Sequence, residues 1–280
     1  MARIKKKPKP PRKCIFCNGG PISKEHIWPD WMRNYLPAGQ GSQIIQRSDP
    51  RASVVRLHLG PLNRKGDARS QKLKVVCAPC NNGWMSILQA RTKDVLLPLL
   101  LRDTHEIGEQ HLEMLATWAT MFTMVYETCY ENPEQRATTS QQRALFKMEQ
   151  KPPQYWMFWC APFDGRTSPV AHTGFGSVFP VGDDDTRHIG KGSLTTCGAG
   201  AIAFAIFGVN SEYGFKAFSQ LITLLVERAG FVRLWPTHGM GINVLDRRSS
   251  PLTSRYMGDI HGTLRSHIEQ EVAASGRRNP

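Results

Sequence analysis

The chain has 280 residues and a formal net charge of +13, a length that accommodates two modest domains or one large one. Its longest apolar stretches, residues 95–101 (broken by Pro98) and 199–209, fall far short of the roughly 20 residues a membrane-spanning helix needs, and no apolar region follows the basic start as a secretory signal requires. Seven cysteines are an odd number, and four of them stand in C-x-x-C pairs better suited to a metal than to disulfides; the expected compartment is reducing and cytoplasmic.

Residues 1–13 hold seven basic residues, no acidic ones and three prolines. Such a segment cannot bury apolar surface and is predicted to be a disordered arm, either a solubilising tail or a nonspecific grip on DNA or RNA through residues such as Arg12 and Lys13. Cys14-Ile-Phe-Cys17 then runs into Asn18-Gly19-Gly20, which supplies the conformations of a tight turn. Residues 22–27 read as a short strand that stops before Pro29. Trp31, Met32, Tyr35 and Leu36 fall at helical spacing and predict a short packed helix. Residues 37–72 are rich in Gly, Ser, Arg and Pro, with one strand-like run at 53–59, and read as an insertion loop carrying a hairpin. Residues 73–76 alternate as a strand feeding Cys77-Ala-Pro-Cys80, and a helix is predicted over 82–97. Strand, knuckle and helix in this order describe a zinc-bound ββα unit over residues 14–102.

A second, mixed α+β domain is expected over 103–280. Leu112, Leu115, Trp118, Ala119, Phe122, Val125, Tyr126 and Cys129 recur at three- and four-residue steps, the mark of an amphipathic helix. Ser140 is a candidate cap for a helix through Met148. Strands are predicted at 155–160, 175–180, 201–209 and 231–235, with a helix over 213–229. Cys129, Cys160 and Cys197 read as small core residues, and Trp156 and Trp159 as core rather than a base-stacking platform. Gly198-Ala-Gly200 reads as a close-packed strand, and Asp183-Asp184-Asp185 as a solvated turn.

The charge is unevenly spread. Residues 1–102 carry 20 Lys+Arg against 5 Asp+Glu, or +15, while residues 103–280 carry 16 against 18, or −2. The positive excess therefore sits with the cysteine pairs, where it attracts phosphate; Arg12, Lys13, Lys24, Lys72 and Lys74 are the candidate contacts. Two C-x-x-C pairs, Cys14/Cys17 and Cys77/Cys80, supply the four thiolates of a tetrahedral Zn²⁺ site, the second pair at a helix start whose dipole favours thiolate. Coincidental buried thiols and a redox dithiol are the weaker readings, since both pairs have turn-forming neighbours and neither lies in a thioredoxin-like context. Glu25-His26 ends the first strand and Asn81 directly follows the last Cys. If the metal pins both knuckles together, the carboxylate and amide oxygens are suited to Mg²⁺ or Mn²⁺, and the imidazole to taking a proton from water attacking a phosphodiester.

C-x-x-C, Glu25-His26-Ile27-Trp28-Pro29 and Val76-Cys77-Ala-Pro-Cys80-Asn81-Asn82-Gly83-Trp84-Met85 together resemble the zinc-containing His-Asn-His (HNH) endonucleases of the ββα-metal, treble-clef class, in particular a bacterial and phage HNH-like group. The resemblance covers residues 14–95. It implies that His26 is the general base, that Glu25 and Asn81 bind the catalytic cation, and that the substrate is DNA, cut to leave 5′-phosphate and 3′-hydroxyl ends. Two departures stand out. The family's middle Asn is missing from Ser70-Gln71-Lys72-Leu73-Lys74, where Gln71 or Ser70 would have to substitute, and 59 residues separate Cys17 from Cys77. The leading expectation is a metal-dependent DNA endonuclease whose C-terminal domain serves target choice, dimerisation or regulation. The alternatives are a non-catalytic zinc module that binds nucleic acid, and RNA cleavage by the same site.

Overall fold

Strands β6 (Trp156–Pro162) and β9 (Ile202–Val209) are buried at every position, and a strand apolar on both faces must be covered on both. They lie at the centre of a five-stranded antiparallel sheet of order β10-β6-β9-β8-β7, where β7 is Val170–Pro180, β8 is Ile189–Ala199 and β10 is Val232–Trp235. Successive side chains alternate between faces. Trp156, Phe158, Cys160, Phe204 and Ile206 join one core, and Met157, Trp159, Ala161, Ala203, Ala205 and Phe207 another. Helix α5 (Glu212–Arg228), capped by Ser211 accepting from the Gly214 N–H at 3.2 Å, closes the second face with Ile222 and Val226. The computed structural model from which this fold is taken describes residues 13–38, 44–49, 56–61, 68–103, 106–129, 136–166, 170–180, 189–237, 239, 241–243, 250–253, 255, 257–263 and 266. The arm up to and including Arg12, His105 and Asp183 to Asp185 lie outside the described residues.

Helix α3 (Glu109–Tyr126) covers the first face. Its expected amphipathic spacing is present, yet every residue from Leu115 to Tyr126 is buried, not one stripe alone. The reason is a second layer on its far side: Trp28 packs on Phe122 with ring centroids 4.9 Å apart, and Trp118 meets Phe204 of the sheet at 5.8 Å. Two of its three buried threonines satisfy their hydroxyls within the helix, Thr117 donating to the Glu113 carbonyl at 2.7 Å and Thr120 to that of Ala116 at 2.8 Å, whereas the Thr123 hydroxyl has no partner among the described residues.

The far layer is the N-terminal unit. Strands β1 (Ile22–His26) and β4 (Lys72–Cys77) pair antiparallel, Ile22 opposite Cys77 and His26 opposite Lys72, with an irregularity between Ser23 and Glu25. Between them the chain leaves as the hairpin β2 (Ile44–Asp49) and β3 (Arg56–Pro61), where the sequence places an insertion. After β4 come the short α1 (Ala78–Cys80), a wide turn Asn81–Met85 broken at Gly83, and α2 (Ser86–Leu101). The expected boundary near residue 102 coincides with the left-handed Arg102 that ends α2. Packing nevertheless crosses it: the Ala201 N–H donates to the Leu100 carbonyl at 3.0 Å, and a Cβ on Gly200 (φ +56°) would strike that same carbonyl at 2.5 Å.

Further details differ from the sequence reading. Residues Asp30–Asn34 form a tight 3₁₀ turn, and only Met32 and Leu36 of its four apolar residues are buried. Helix α4 (Ser140–Glu149) is capped by Thr139, not Ser140, because Thr139 and Gln142 form a reciprocal box, with bonds of 3.1 and 2.9 Å. Strand β8 was not foreseen, its Gly and Thr content carrying no apolar alternation.

Where α3 ends, the buried Glu127 carboxylate accepts from the Ala137 and Thr138 N–H groups (2.9 and 3.3 Å) and from the Thr138 and Ser193 hydroxyls (2.8 and 2.7 Å). Burial pushes its pKa up, the four donors opposing. Glu127→Ala leaves these donors orphaned in the core and is expected to cost about 3 kcal/mol or more in urea unfolding; a loss below about 1 kcal/mol would contradict the network's structural role.

Candidate functional site

The first knuckle closes by backbone bonds, the Cys14 N–H donating to the Gly19 carbonyl (3.0 Å) and the Asn18 N–H to that of Cys14 (2.9 Å), with Asn18 at φ 56°. The second is delivered by β4 and the turn into α1. Together they bring one sulfur each from Cys14, Cys17, Cys77 and Cys80 within 4.8 Å of one another. Cys17 Sγ lies 3.5 Å from Cys77 Sγ and 3.6 Å from Cys80 Sγ. Four thiolates about 2.3 Å from one Zn²⁺ stand about 3.8 Å apart in a tetrahedron, so the donor set and spacing are compatible with a structural zinc. Burial pushes the Cys80 thiol up to about 12, a cost that a cation among the sulfurs would remove. For Cys17 burial is outweighed by the Gly19 backbone and the neighbouring thiols, which draw it down to about 7.

Strand β1 hangs between this cluster and α2. Asn81 holds it from the cluster side: its amide nitrogen donates to Ser23 Oγ at 3.2 Å and to the Lys24 carbonyl at 3.4 Å. The next two residues diverge, as consecutive strand residues do. Glu25 turns inward and accepts from Gln89 Nε2 of α2 at 3.1 Å, only 4% exposed. Burial lifts its carboxyl to about 7, Gln89 opposing. His26 is half-buried, with Nε2 3.2 Å from Asp30 Oδ1 in an ion-pair contact not aligned as a hydrogen bond. Burial and Lys72 push its imidazole below the ordinary value, Asp30 opposing and Arg33 adding to them, which favours the neutral ring.

Glu25 and His26 line one cavity of about 10 Å³ with Gln89, Trp118, Met121 and Phe122; Asn81 is not among its lining residues. That volume is at the lower limit for a single water, too small for a hydrated cation on the inner side of Glu25. The donor types do suit a hard cation: Glu25 Oε2 and Asn81 Oδ1 accept no hydrogen bond among the described residues, and Asn81 sits on the carbonyl of the residue preceding Glu25. At the position of the missing middle Asn, the Gln71 carbonyl accepts from the Ile27 N–H at 2.9 Å, while its buried side-chain amide has no partner. Lys13, Lys24, Lys72 and Lys74 are all exposed; Arg12 lies outside the described residues.

Sequence reasoning missed Asp30 and Gln89. The His26-x-x-x-Asp30 spacing was a usable signal for the first. Gln89 had none, since its contact with Glu25 depends on how α2 crosses the hairpin. Among the described residues no helix is long and apolar enough to cross a membrane. No protein-family model, curated protein or solved structure matches the chain.

Two outcomes follow from this geometry. Phe16 of the first knuckle packs on Trp84 (5.0 Å) and Phe146 of α4 (6.4 Å), and Arg143 Nε donates to the Ile15 carbonyl at 3.3 Å. Metal analysis is expected to find one zinc per chain, and chelation to lower the melting temperature of the whole protein; zinc-free protein with undiminished stability would refute the centre. For Glu25 the raised folded pKa means the folded state holds the proton more tightly. Its favourable contribution is complete below about 4.5 and is lost as the pH rises to about 7. Glu25→Gln should therefore match wild type in acid and exceed it by up to about 3 kcal/mol at alkaline pH; equal urea midpoints at both extremes would contradict the burial of this carboxyl.

Proposed function

We propose that residues 14–101 are a zinc-stabilised treble-clef unit of the HNH type, and that the chain hydrolyses DNA phosphodiester bonds with His26 as general base. The observation that carries this reading is the placement of His26: half-buried at the end of β1, opposite Lys72 and set against Asp30 at 3.2 Å. The Asp30 charge stabilises the imidazolium that forms when His26 takes a proton from the attacking water. Lys72, opposite His26 in the hairpin, and Arg33, bonded to Asp30 at 3.1 Å, put positive charge where a phosphate would lie. Arg33 and Lys72 also keep the imidazole's proton affinity low, so the base is ready without prior deprotonation. A Mg²⁺ or Mn²⁺ ion, bound through Glu25 and Asn81 oxygens, would supply charge stabilisation at the leaving oxygen. Asn81 fixes the strand at Lys24, and with it the direction of His26.

A second reading, a non-catalytic module that binds nucleic acid, is favoured by one observation: Glu25 is turned inward onto Gln89. Nicking of supercoiled plasmid in Mg²⁺ or Mn²⁺ separates the two. Wild type is expected to nick, and His26→Ala to lose roughly 100-fold or more of the rate. Equal cutting by both sinks the assigned base; no cutting by either, with salt-sensitive binding retained, leaves the binding module. Oligonucleotides of one sequence, prepared in DNA and in RNA form, test the sugar preference. Because burial and Lys72 hold the imidazole below its ordinary value of 6.5, the rate at saturating divalent cation, where Glu25 is held ionised, should fall toward acid with a midpoint under that value and be flat through neutral pH. A midpoint above 6.5 would contradict a base in this environment.

A further inference from the structure

The turn Asp30–Asn34 sorts its apolar residues onto two adjacent faces. Met32 and Leu36 enter the core, whereas Trp31 is half-buried and Tyr35 is 41% exposed. The two outer rings meet edge to face, 6.3 Å apart at 72°. Lys93 of α2 stands over both, its Nζ 5.8 Å from the Trp31 ring centre and 5.7 Å from that of Tyr35. Lys93 is four residues beyond Gln89, hence on the same stripe of α2 and about 6 Å further along it. Gln89 holds Glu25 and Asp30 contacts His26, so the ring pair borders the proposed cleavage site. The turn is also fixed from below: the buried Arg69 donates to the carbonyls of Arg33 and Leu36.

Tyr35 thus contributes little to the core, is held in place, and shares a cation with Trp31. Lys93 stands over the ring and Arg33 belongs to the same turn. An unpaired base offers a π face to such a ring and a phosphate to Lys93 and Arg33, whereas a duplex keeps its bases stacked on one another and uses only the cations. We propose that Tyr35, Trp31 and Lys93 form a stacking platform that holds an unpaired base of single-stranded DNA beside His26. The proposal rests on the nucleic-acid reading of that site and names the form of its substrate.

The test is binding in the His26→Ala background, where cleavage does not interfere, with a fluorescein-labelled oligothymidylate and a duplex of equal length read by anisotropy. The single strand should bind more tightly. Tyr35→Ala should weaken it roughly ten-fold and change duplex binding by less than about two-fold, while Tyr35→Phe, which keeps the ring, restores the affinity. Lys93→Gln should reduce the slope of log K against log salt by about 0.7. An unchanged single-strand affinity in Tyr35→Ala, or an equal loss on the duplex, overturns the platform. Displacement of the DNA by oligouridylate at lower concentration than by unlabelled oligothymidylate overturns the assignment to DNA. A Tyr35 effect in a protein whose wild type cuts neither plasmid nor the oligothymidylate removes the cleavage reading and leaves the platform; cutting without a Tyr35 effect does the reverse.

Discussion

Four cysteine sulfurs within 4.8 Å of one another bring together two points of the chain separated by 59 residues, and the candidate site lies beside the place where they meet. Closing a loop of this length costs about 4 kcal/mol before any local strain. The β1–β4 pair has only four residue pairs, and two strands alone are marginal in water. A structural zinc contributes on the order of 10 kcal/mol, comfortably more than the closure cost. A zinc at these sulfurs would hold the hairpin in one register, and register decides which face each side chain occupies.

The cluster does not act alone. Phe16, Trp84 and Phe146 interlock the knuckle with α4, and Trp28 and Phe122 lock the end of β1 to α3. Helix α3 is buried on both sides because the sheet lies under one face and the hairpin with α2 over the other. The cavity beside Glu25 is therefore lined from both halves of the chain, by Met85 and Gln89 of the first and by Trp118, Met121, Phe122 and Val125 of the half with no positive excess. This gives the C-terminal half a physical role independent of any partner: it supplies the apolar wall, Trp118, Met121 and Phe122, that raises the carboxyl pKa of Glu25.

Much of this was legible from the residues. The two C-x-x-C pairs announced the thiol cluster because their spacing and turn-forming neighbours leave few other uses. The central strands β6 and β9 and the helices α3 and α5 followed from apolar content that periodicity reports directly. What escaped were features set by tertiary context. Helix α3 has the spacing of a one-sided helix, and only the neighbour layer makes it all-round core. Strand β8 is recruited by pairing with β7 and β9 and not by any pattern of its own. Trp31 and Tyr35 share helical spacing with Met32 and Leu36, and sequence could not say which pair faces in.

The site itself was legible as a set of residues and not as an arrangement. Glu25 and His26 are neighbours in sequence, and that adjacency invites a reading in which both serve one metal-activated water. Strand geometry works against it, because neighbours in a strand point apart: the carboxyl goes to Gln89 and the imidazole to Asp30. The nearest carboxylate to the base is thus Asp30, four residues on. For Glu25 and Asn81 to share a cation, the carboxyl must ionise and leave the apolar wall, and the energy scale of that step is the few kcal/mol implied by a pKa lifted from 4.5 to about 7. Two oxygen ligands and a favourable phosphate can supply that much. Cation and substrate binding would then be linked, each easing the ionisation that the other needs, so substrate-free protein should hold a divalent cation less tightly than its complex does.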